Sequence, residues 1–182
     1  MSDAMLSNSP EPRASANRSV VIFLAGFALS ILGFSLLFQI AWIDSLIIVP
    51  MTEALAAISN VIIRPMGFDT HVEGTTISEP GGFAVNILKG CNGAYVLAIY
   101  LSAVLAFPST AREKAVGVLL GIPAVQGINL VRIASLYYIG ARHPALFERF
   151  HYHVWQTVVI VLSMIVWIAW AEILVKNPRR QS

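Results

Sequence analysis

VVIFLAGFALSILGFSLLFQIAW, residues 20–42, is a run of 23 residues without a single charge. At a rise of ~1.5 Å per residue, a helix of this length crosses the ~30 Å hydrocarbon core of a bilayer. The apolar part of a cleaved signal peptide is shorter, about 7–15 residues, and ends at a small-residue cleavage site. The run therefore predicts a membrane-spanning helix, and it places the chain among integral membrane proteins.

The composition of the whole chain agrees with that class. Hydrophobic residues make up 57% of the 182 residues, charged residues make up only 12%, and the mean hydropathy is +0.72. Soluble domains carry about 25% charged residues. The length suits one domain, and a net charge of +2 with scattered basic residues excludes a nucleic-acid-binding face. The single cysteine excludes an internal disulfide.

Three later apolar runs predict three more spans, at residues 92–107, 116–139 and 154–175. A further stretch, 45–63, is apolar but interrupted by polar residues, and an unpaired Glu53 in mid-bilayer would be costly. We therefore predict that 45–63 forms an amphipathic helix on the membrane surface, with a fifth span as the alternative. The predicted fold class is an all-α integral membrane protein with about four transmembrane helices.

Residues 64–90 differ from the rest of the chain, because short β-prone pieces alternate with glycine and proline. The pieces are 70–72, 75–77 and 83–88. Such punctuation is typical of a hairpin or a three-stranded sheet, so we predict a small external β flap. We assign a single membrane-embedded domain to 19–176. It follows a tail at 1–18, predicted to be disordered, and precedes a basic tail at 177–182.

Lysine and arginine residues near the ends of the spans set the expected orientation. The four-span arrangement puts seven of them on one side: Arg13, Arg18, Arg112, Lys114, Lys176, Arg179 and Arg180. Four lie on the other side: Arg64, Lys89, Arg142 and Arg149. The richer side is expected to be cytoplasmic, so we expect both termini inside and the flap outside.

On this arrangement, Cys91, Arg132 and His153 lie at or near the outer ends of three different spans. Cys91 precedes a helix, whose N-terminal partial charge favours the nucleophilic thiolate; a buried, inert thiol is the alternative. Arg132 lies in an apolar run, where a guanidinium indicates either a function or a structural tie to carbonyls or to Glu53. At ~1.5 Å per residue it lies ~12 Å below the outer boundary, within reach of Cys91 by snorkelling.

Histidine is the third candidate residue type, because an imidazole exchanges protons near neutral pH. His151 and His153 are two residues apart, so they do not share a helical face. His153 opens the last apolar run beside Trp155, and we assign the catalytic role to it, with His151 as the alternative. His-x-His with one cysteine is too small a ligand set for a metal site, so we expect neither a metal nor another cofactor.

At these residues the chain resembles the exosortase/archaeosortase family of multi-pass membrane cysteine transpeptidases. The matching pieces are Gly90-Cys91-Asn92-Gly93 at a helix start, Asn129-Leu-Val-Arg132-Ile133 in the next span, and the histidine of the span after it. The resemblance covers about residues 45–175, and the short chain is similar to the compact exosortase H type. The chain departs from the family pattern at Asn92, where Ser or Ala is usual.

The resemblance implies an enzyme that cuts exported proteins carrying a C-terminal recognition motif, a membrane span and a basic end. Catalytic roles then fall to Cys91, Arg132 and His153, and substrate binding to Asn129, Asn92 and Gly93. We expect the bacterial inner membrane, an active site facing the periplasm, and these substrates and membrane lipid as partners. The alternatives are a pure hydrolase, with water as acceptor, and a scaffold or small transport subunit in which Cys91 has no chemistry.

Overall fold

The computed structural model describes residues 12–175, most of which are helical. The longer helices are α1 (Pro12–Leu37), α3 (Val49–Ile63), α4 (Ala94–Ala106), α5 (Ala111–Arg142) and α7 (Trp155–Trp170); the short ones are α2 (Ala41–Ile43) and α6 (Pro144–Arg149). Single π-helical or 3₁₀ turns extend them at Asp44–Ile48, Arg64–Met66, Phe150–Val154 and Ala171–Val175. The strands are β1 (His71–Glu73), β2 (Thr76–Ser78) and β3 (Ala84–Asn86).

The predicted fold class is confirmed, because four helices within residues 12–175 are long and apolar enough to span a membrane, beside a three-stranded sheet. They are Asn17–Leu37, Ala41–Met66, Ala111–Arg142 and Pro144–Val175. This set differs from the predicted one. Helix α4, in place of the predicted second span, has 13 residues, fewer than the ~17–25 of a usual span. The run Ala41–Met66 instead has the length and composition of a span, which was the alternative for this segment.

The segment predicted as an amphipathic helix is helical, but its two faces do not divide into apolar and polar. Its buried face consists of Ile48, Thr52, Leu55, Ala56, Ser59 and Ile63. Its outward side chains include Leu46, Ile47, Val49, Ile58, Val61 and Ile62. Glu53 is the charged side chain among the exposed residues of this segment and the others are mostly aliphatic, so the outward face is less polar than that of a typical amphipathic surface helix.

Helix α1 includes residues 12–18, which belong to the tail at 1–18 that is predicted to be disordered. The prediction therefore differs from the structure at these seven residues. The rest of that predicted tail, 1–11, lies outside the described residues, as does the basic tail at 177–182.

Helix α4 runs antiparallel to α1, as ring contacts at both ends demonstrate. Phe107, at the end of α4, meets Phe23 edge-to-face at 6.3 Å, and Tyr95, at its start, meets Phe38 at 5.5 Å. Aromatic pairs in this geometry add to the stabilisation from burial. The start of α4, where Cys91 lies, is therefore level with the end of α1.

Glycines let α4 and α7 pack closely against α5. A Cβ at Gly121 would lie 2.1 Å from the Tyr100 ring, and one at Gly117 would lie 2.7 Å from the indole nitrogen of Trp170. The Tyr100 hydroxyl also donates a hydrogen bond of 2.9 Å to the Gly117 carbonyl. Small residues at such contacts are the usual means of close helix approach in membranes. These two glycines thus serve internal packing.

Helix α5 is 32 residues long, or ~48 Å, which exceeds the ~30 Å hydrocarbon core. A capping box between Thr110 and Glu113 starts it. Its last turns carry Tyr137 and Gly140 against the Phe83 ring, next to the sheet. The far half of α5 therefore supports α3 and the sheet in one core, beyond the ends of α1 and α4.

The sheet confirms the predicted three strands. It is antiparallel with the order β1–β2–β3. Val72 pairs with Ile77, and Ile77 pairs with Val85. Ile77 and Ile87 are buried in the core shared with α3 and α5. The chain leaves β3 through the turn that carries Cys91, so the sheet lies directly beside the thiol.

Candidate active site

Cys91 lies in a tight turn between β3 and α4. The Leu88 carbonyl accepts hydrogen bonds from the N–H groups of Cys91 at 2.8 Å and of Asn92 at 3.1 Å. Asn92 is fully buried: its Nδ2 donates to Thr52 Oγ1 at 2.9 Å, and its Oδ1 accepts from the N–H of Ala94 at 3.0 Å. Asn92 therefore ties the turn to α3 and satisfies the first N–H of α4, which holds the thiol in place.

Gly93 follows with a φ of 75°, in the left-handed region that favours glycine. A Cβ there would lie 3.0 Å from Gln126 Oε1 and 3.1 Å from Asn129 Cγ, because α5 crosses directly beside the turn. Asn129 is fully buried, and among residues 12–175 neither of its side-chain polar atoms has a hydrogen-bond partner. Of the three residues predicted to bind substrate, Gly93 lines a cavity at Cys91, whereas Asn92 and Asn129 do not.

Three side chains from separate elements meet at the sulfur. Nε2 of His151 lies 2.8 Å from Cys91 Sγ, and Nη2 of Arg132 lies 3.9 Å from the same atom. Arg132, in α5, is only 2% exposed, and its Nε has no hydrogen-bond partner in the described part of the chain. The structure therefore unites a thiol, an imidazole and a buried guanidinium with an unused donor.

The histidine that contacts the thiol is His151, whereas the sequence prediction favoured His153. The His153 side chain is exposed, and the backbone carbonyl of His153 accepts a hydrogen bond from Thr157 Oγ1. The apolar run of the sequence begins at His153, but the helical stretch begins at Pro144 and passes through a π-helical turn at both histidines. A π-helical turn within a helix is frequently found at functional sites.

One feature of the sequence could have identified His151. Phe147 precedes it by four residues, which places both on one helical face, and their rings are 5.5 Å apart. Phe147 in turn packs on Phe83 at 5.7 Å, beside β3. The face that carries Phe147 and His151 thus points towards the sheet and the thiol.

Burial raises the pKa of the Cys91 thiol, and the charge of Arg132 opposes this without cancelling it. The expectation that the start of α4 favours the thiolate is therefore wrong. The helix begins only at Ala94, and the side chain of Asn92 already accepts a hydrogen bond from its N–H. The resting thiol is neutral, so it needs a base at the moment of reaction.

Alkylation of Cys91 by iodoacetamide should be slow near pH 7 and still rising above pH 9. The thiolate is the reactive form, and a raised pKa leaves less of it at any given pH, whereas an ordinary thiol with a pKa of ~8.5 is mostly ionised by pH 9. The rate is measured by mass spectrometry across this range. The same lone cysteine in denatured protein supplies the reference curve. A native rate independent of pH would instead indicate a preformed thiolate–imidazolium pair.

Two cavities open at the thiol, and Cys91, Arg132 and His151 line both. The strand-side cavity, of about 310 Å³, is bordered by residues 83–88 and by side chains of α5 and α6. The helix-side cavity, of about 470 Å³, extends along the start of α4 to Val96. Within the described residues, no three His, Cys, Asp or Glu side chains form a group that could hold a metal ion. The arrangement suits covalent chemistry at the sulfur, with access from two directions.

The family model of the transmembrane exosortase (Exosortase_EpsH) matches residues 19–172, which include the turn of Cys91, the Arg132 helix and His151. The chain belongs to this family. The resemblance based on the cysteine, arginine and histidine motifs is thereby confirmed, and membership suggests a membrane transpeptidase or protease. No curated protein matches the chain, and no solved structure does. This exosortase family member is a multi-pass membrane protein.

Proposed function

We propose that this exosortase family member is a cysteine transpeptidase that cleaves the C-terminal sorting tail of exported proteins and passes the new carboxyl end to an acceptor. The observation that carries the proposal is the 2.8 Å contact between Cys91 Sγ and His151 Nε2 beside the buried Arg132. The substrate tail has a short recognition motif, one membrane span and a basic end. The reaction takes place at the outer face of the bacterial inner membrane.

In the first half-reaction, Cys91 Sγ attacks the carbonyl carbon of the scissile peptide bond. Because the resting thiol is neutral, His151 Nε2 takes the thiol proton as the S–C bond forms. The carbonyl oxygen becomes negatively charged, and the Arg132 guanidinium stabilises it. The C–N bond then breaks, and His151 gives its proton to the leaving amine. The product is a thioester on Cys91.

In the second half-reaction, an acceptor hydroxyl or amine attacks the thioester carbon. His151 removes the proton of the acceptor as the new bond forms, and the C–S bond breaks. The sulfur of Cys91 leaves as a thiolate and regains its proton from His151, which restores the resting site. The two adjoining cavities at the sulfur support this sequence, since together they leave space for both the peptide and an acceptor.

The span of the substrate has a matching path along α4. A third cavity, of about 300 Å³, lies between α1, α4 and α7 and is lined almost entirely by apolar side chains. Val96 borders both this cavity and the helix-side cavity at Cys91, so the two cavities lie next to each other on either side of this side chain. A substrate span in this path would present its outer end to Cys91. Helix α4 lies alongside α1 from end to end, and when α4 is the segment that returns across the bilayer, Cys91 lies on the side opposite the excess of basic residues, which supports an outward-facing site.

Hydroxylamine tests for the thioester, because it captures acyl groups from sulfur. The protein in detergent is incubated with a tagged protein bearing a sorting tail from the same genome, with and without hydroxylamine. We expect the cleaved product to end in a hydroxamate when hydroxylamine is present. Cleavage that continues without any hydroxamate would reject the thioester mechanism. In the absence of hydroxylamine, an added mass on the new C-terminus indicates transfer, and a free acid indicates hydrolysis.

A further inference from the structure

Strand β3 has a free edge, because its one neighbour in the sheet is β2. The Phe83 carbonyl and the Ile87 N–H make hydrogen bonds towards β2, at 3.1 and 3.0 Å. Alternate residues of an antiparallel strand direct their backbone groups to opposite edges. The N–H and C=O groups of Ala84 and Asn86 therefore point away from the sheet, and no backbone partner for them exists among the described residues.

This free edge borders the strand-side cavity, in which Cys91 also lies. All six residues from 83 to 88 line that cavity. Its other lining side chains outside the catalytic group belong to α5, α6 and the π-helical turn: Ile133, Leu136, Phe147, Glu148 and Tyr152. A row of unpaired backbone donors and acceptors thus runs towards a nucleophilic sulfur inside one groove.

The two edges of the sheet are not equivalent. Natural proteins protect an exposed strand edge with charged side chains, with proline or with a covering element. The opposite edge, β1, carries Glu73 and packs against α3. Residues 84–88 contain no charge and no proline, so the edge beside the thiol has none of these protections in its own sequence. An unprotected edge at a reactive group is suited to pair with a peptide.

We propose that the recognition motif of the substrate binds as an added β-strand on the free edge of β3, with backbone hydrogen bonds to Ala84 and Asn86. The inference rests on the proposed function and specifies how its substrate is held. Strand addition supplies affinity through the main chain, while pockets for alternate side chains supply specificity. The aliphatic side chains of Ile133 and Leu136 in the groove would accept apolar residues at every second position of the motif.

The connection from β3 to α4 sets the direction of the added strand. The chain runs from the sheet through Cys91 and into α4, which packs among the membrane helices. A substrate with its exported part outside and its span in the membrane runs the same way. The motif should therefore pair parallel to β3, with its scissile bond following the paired residues towards Cys91.

Proline substitution tests the pairing, because proline removes the backbone N–H and is tolerated on an edge strand. Ala84→Pro removes a donor from the free edge of β3 and should lower the rate of tail cleavage by about tenfold or more, the effect expected for one or two backbone hydrogen bonds. Ala84→Val retains the donor and should cleave within about twofold of wild type. Val72→Pro removes the equivalent outward donor from β1, since Ile77 pairs through hydrogen bonds with β3, and should also remain near wild type.

Photo-crosslinking provides a second measurement that does not depend on activity. p-Benzoylphenylalanine at position 84, in a Cys91→Ala chain, should crosslink to the motif of a tagged sorting tail, and the same probe at position 72 should not. Equal crosslinking at both positions, or wild-type cleavage by Ala84→Pro, would overturn the strand pairing and leave the proposed function intact. If wild type cleaves no sorting tail from the same genome, the proposed function fails, and the pairing fails with it.

Discussion

A Cys91→Ala chain should leave a tagged sorting tail uncleaved, with a fall in rate of ~10⁴-fold or more, the scale seen when a covalent nucleophile is removed. The loss should be this large because the chain contains one cysteine, so no other thiol can replace it. The thiol is half-buried, and alanine leaves only a small gap beside His151, so the fold should persist. Cleavage is measured in membranes that contain equal amounts of variant and wild-type protein.

Two companion variants make the result specific. Cys91→Ser retains a nucleophile of the same shape, but its hydroxyl is a far weaker acid than a thiol, so we expect only residual cleavage. Gly127→Ala adds one methyl group at a position of α5 where no atom lies within 4 Å, and it should cleave as wild type does. Full cleavage by Cys91→Ala would exclude the acyl-enzyme and would favour the scaffold or transport subunit.

Cys91 and Arg132 could be predicted as site residues from the sequence, because each residue type is unusual in the segment where it lies. A guanidinium within an apolar run needs a reason to be there, and a lone thiol between flexible residues at a helix start is poorly explained by packing. Both predictions depend only on the free-energy cost of burying the side chain and on the position of the residue along the chain. The structure brings the two side chains to 3.9 Å, with Arg132 on the half of α5 that extends past α4.

The surroundings of the thiol could not be found in the same way. The protonation state of the thiol depends on its burial by α5 and the sheet. The nearby helix start, considered alone, predicts a lowered pKa for Cys91, which is the wrong direction. The family resemblance implies that Asn92 and Asn129 bind substrate. In the structure, Asn92 instead satisfies the first N–H of α4 and Asn129 packs beside Gly93. Such roles depend on which helices cross, which composition does not reveal.

The membrane helices also differ in how well the sequence predicts them. The apolar runs located α1, α5 and α7 correctly, because hydrophobic length is a property of each segment alone. The polar residues of 45–63 predict a surface helix, yet Thr52 and Ser59 are buried on the face towards the protein, and the exposed side chains are mostly aliphatic, with Glu53 as the charged exception. A polar residue that hydrogen-bonds within the protein, as Thr52 does with the Ile48 carbonyl at 2.7 Å, does not by itself indicate a helix face in contact with water.

Replacing the two histidines separately should produce opposite results. His151→Ala should lower the rate of tail cleavage by ~10²–10⁴-fold, the usual contribution of a general acid–base, because the neutral thiol then has no base within reach. His153→Ala should cleave within about twofold of wild type, since that side chain is exposed on the same π-helical turn. The two variants are well matched, because each loses one imidazole, at positions two residues apart. Both leave the contact of Phe147 with Phe83 in place.

Imidazole added to the His151→Ala chain distinguishes a proton-transfer role from a structural one. The substitution opens space beside Cys91 at the junction of two cavities, where a free imidazole has access to the sulfur. We expect partial recovery of cleavage that rises with imidazole concentration and with the neutral fraction of imidazole as the pH increases, because the neutral form is the base. No recovery in His151→Ala, together with a large loss in His153→Ala, would return the catalytic assignment to His153.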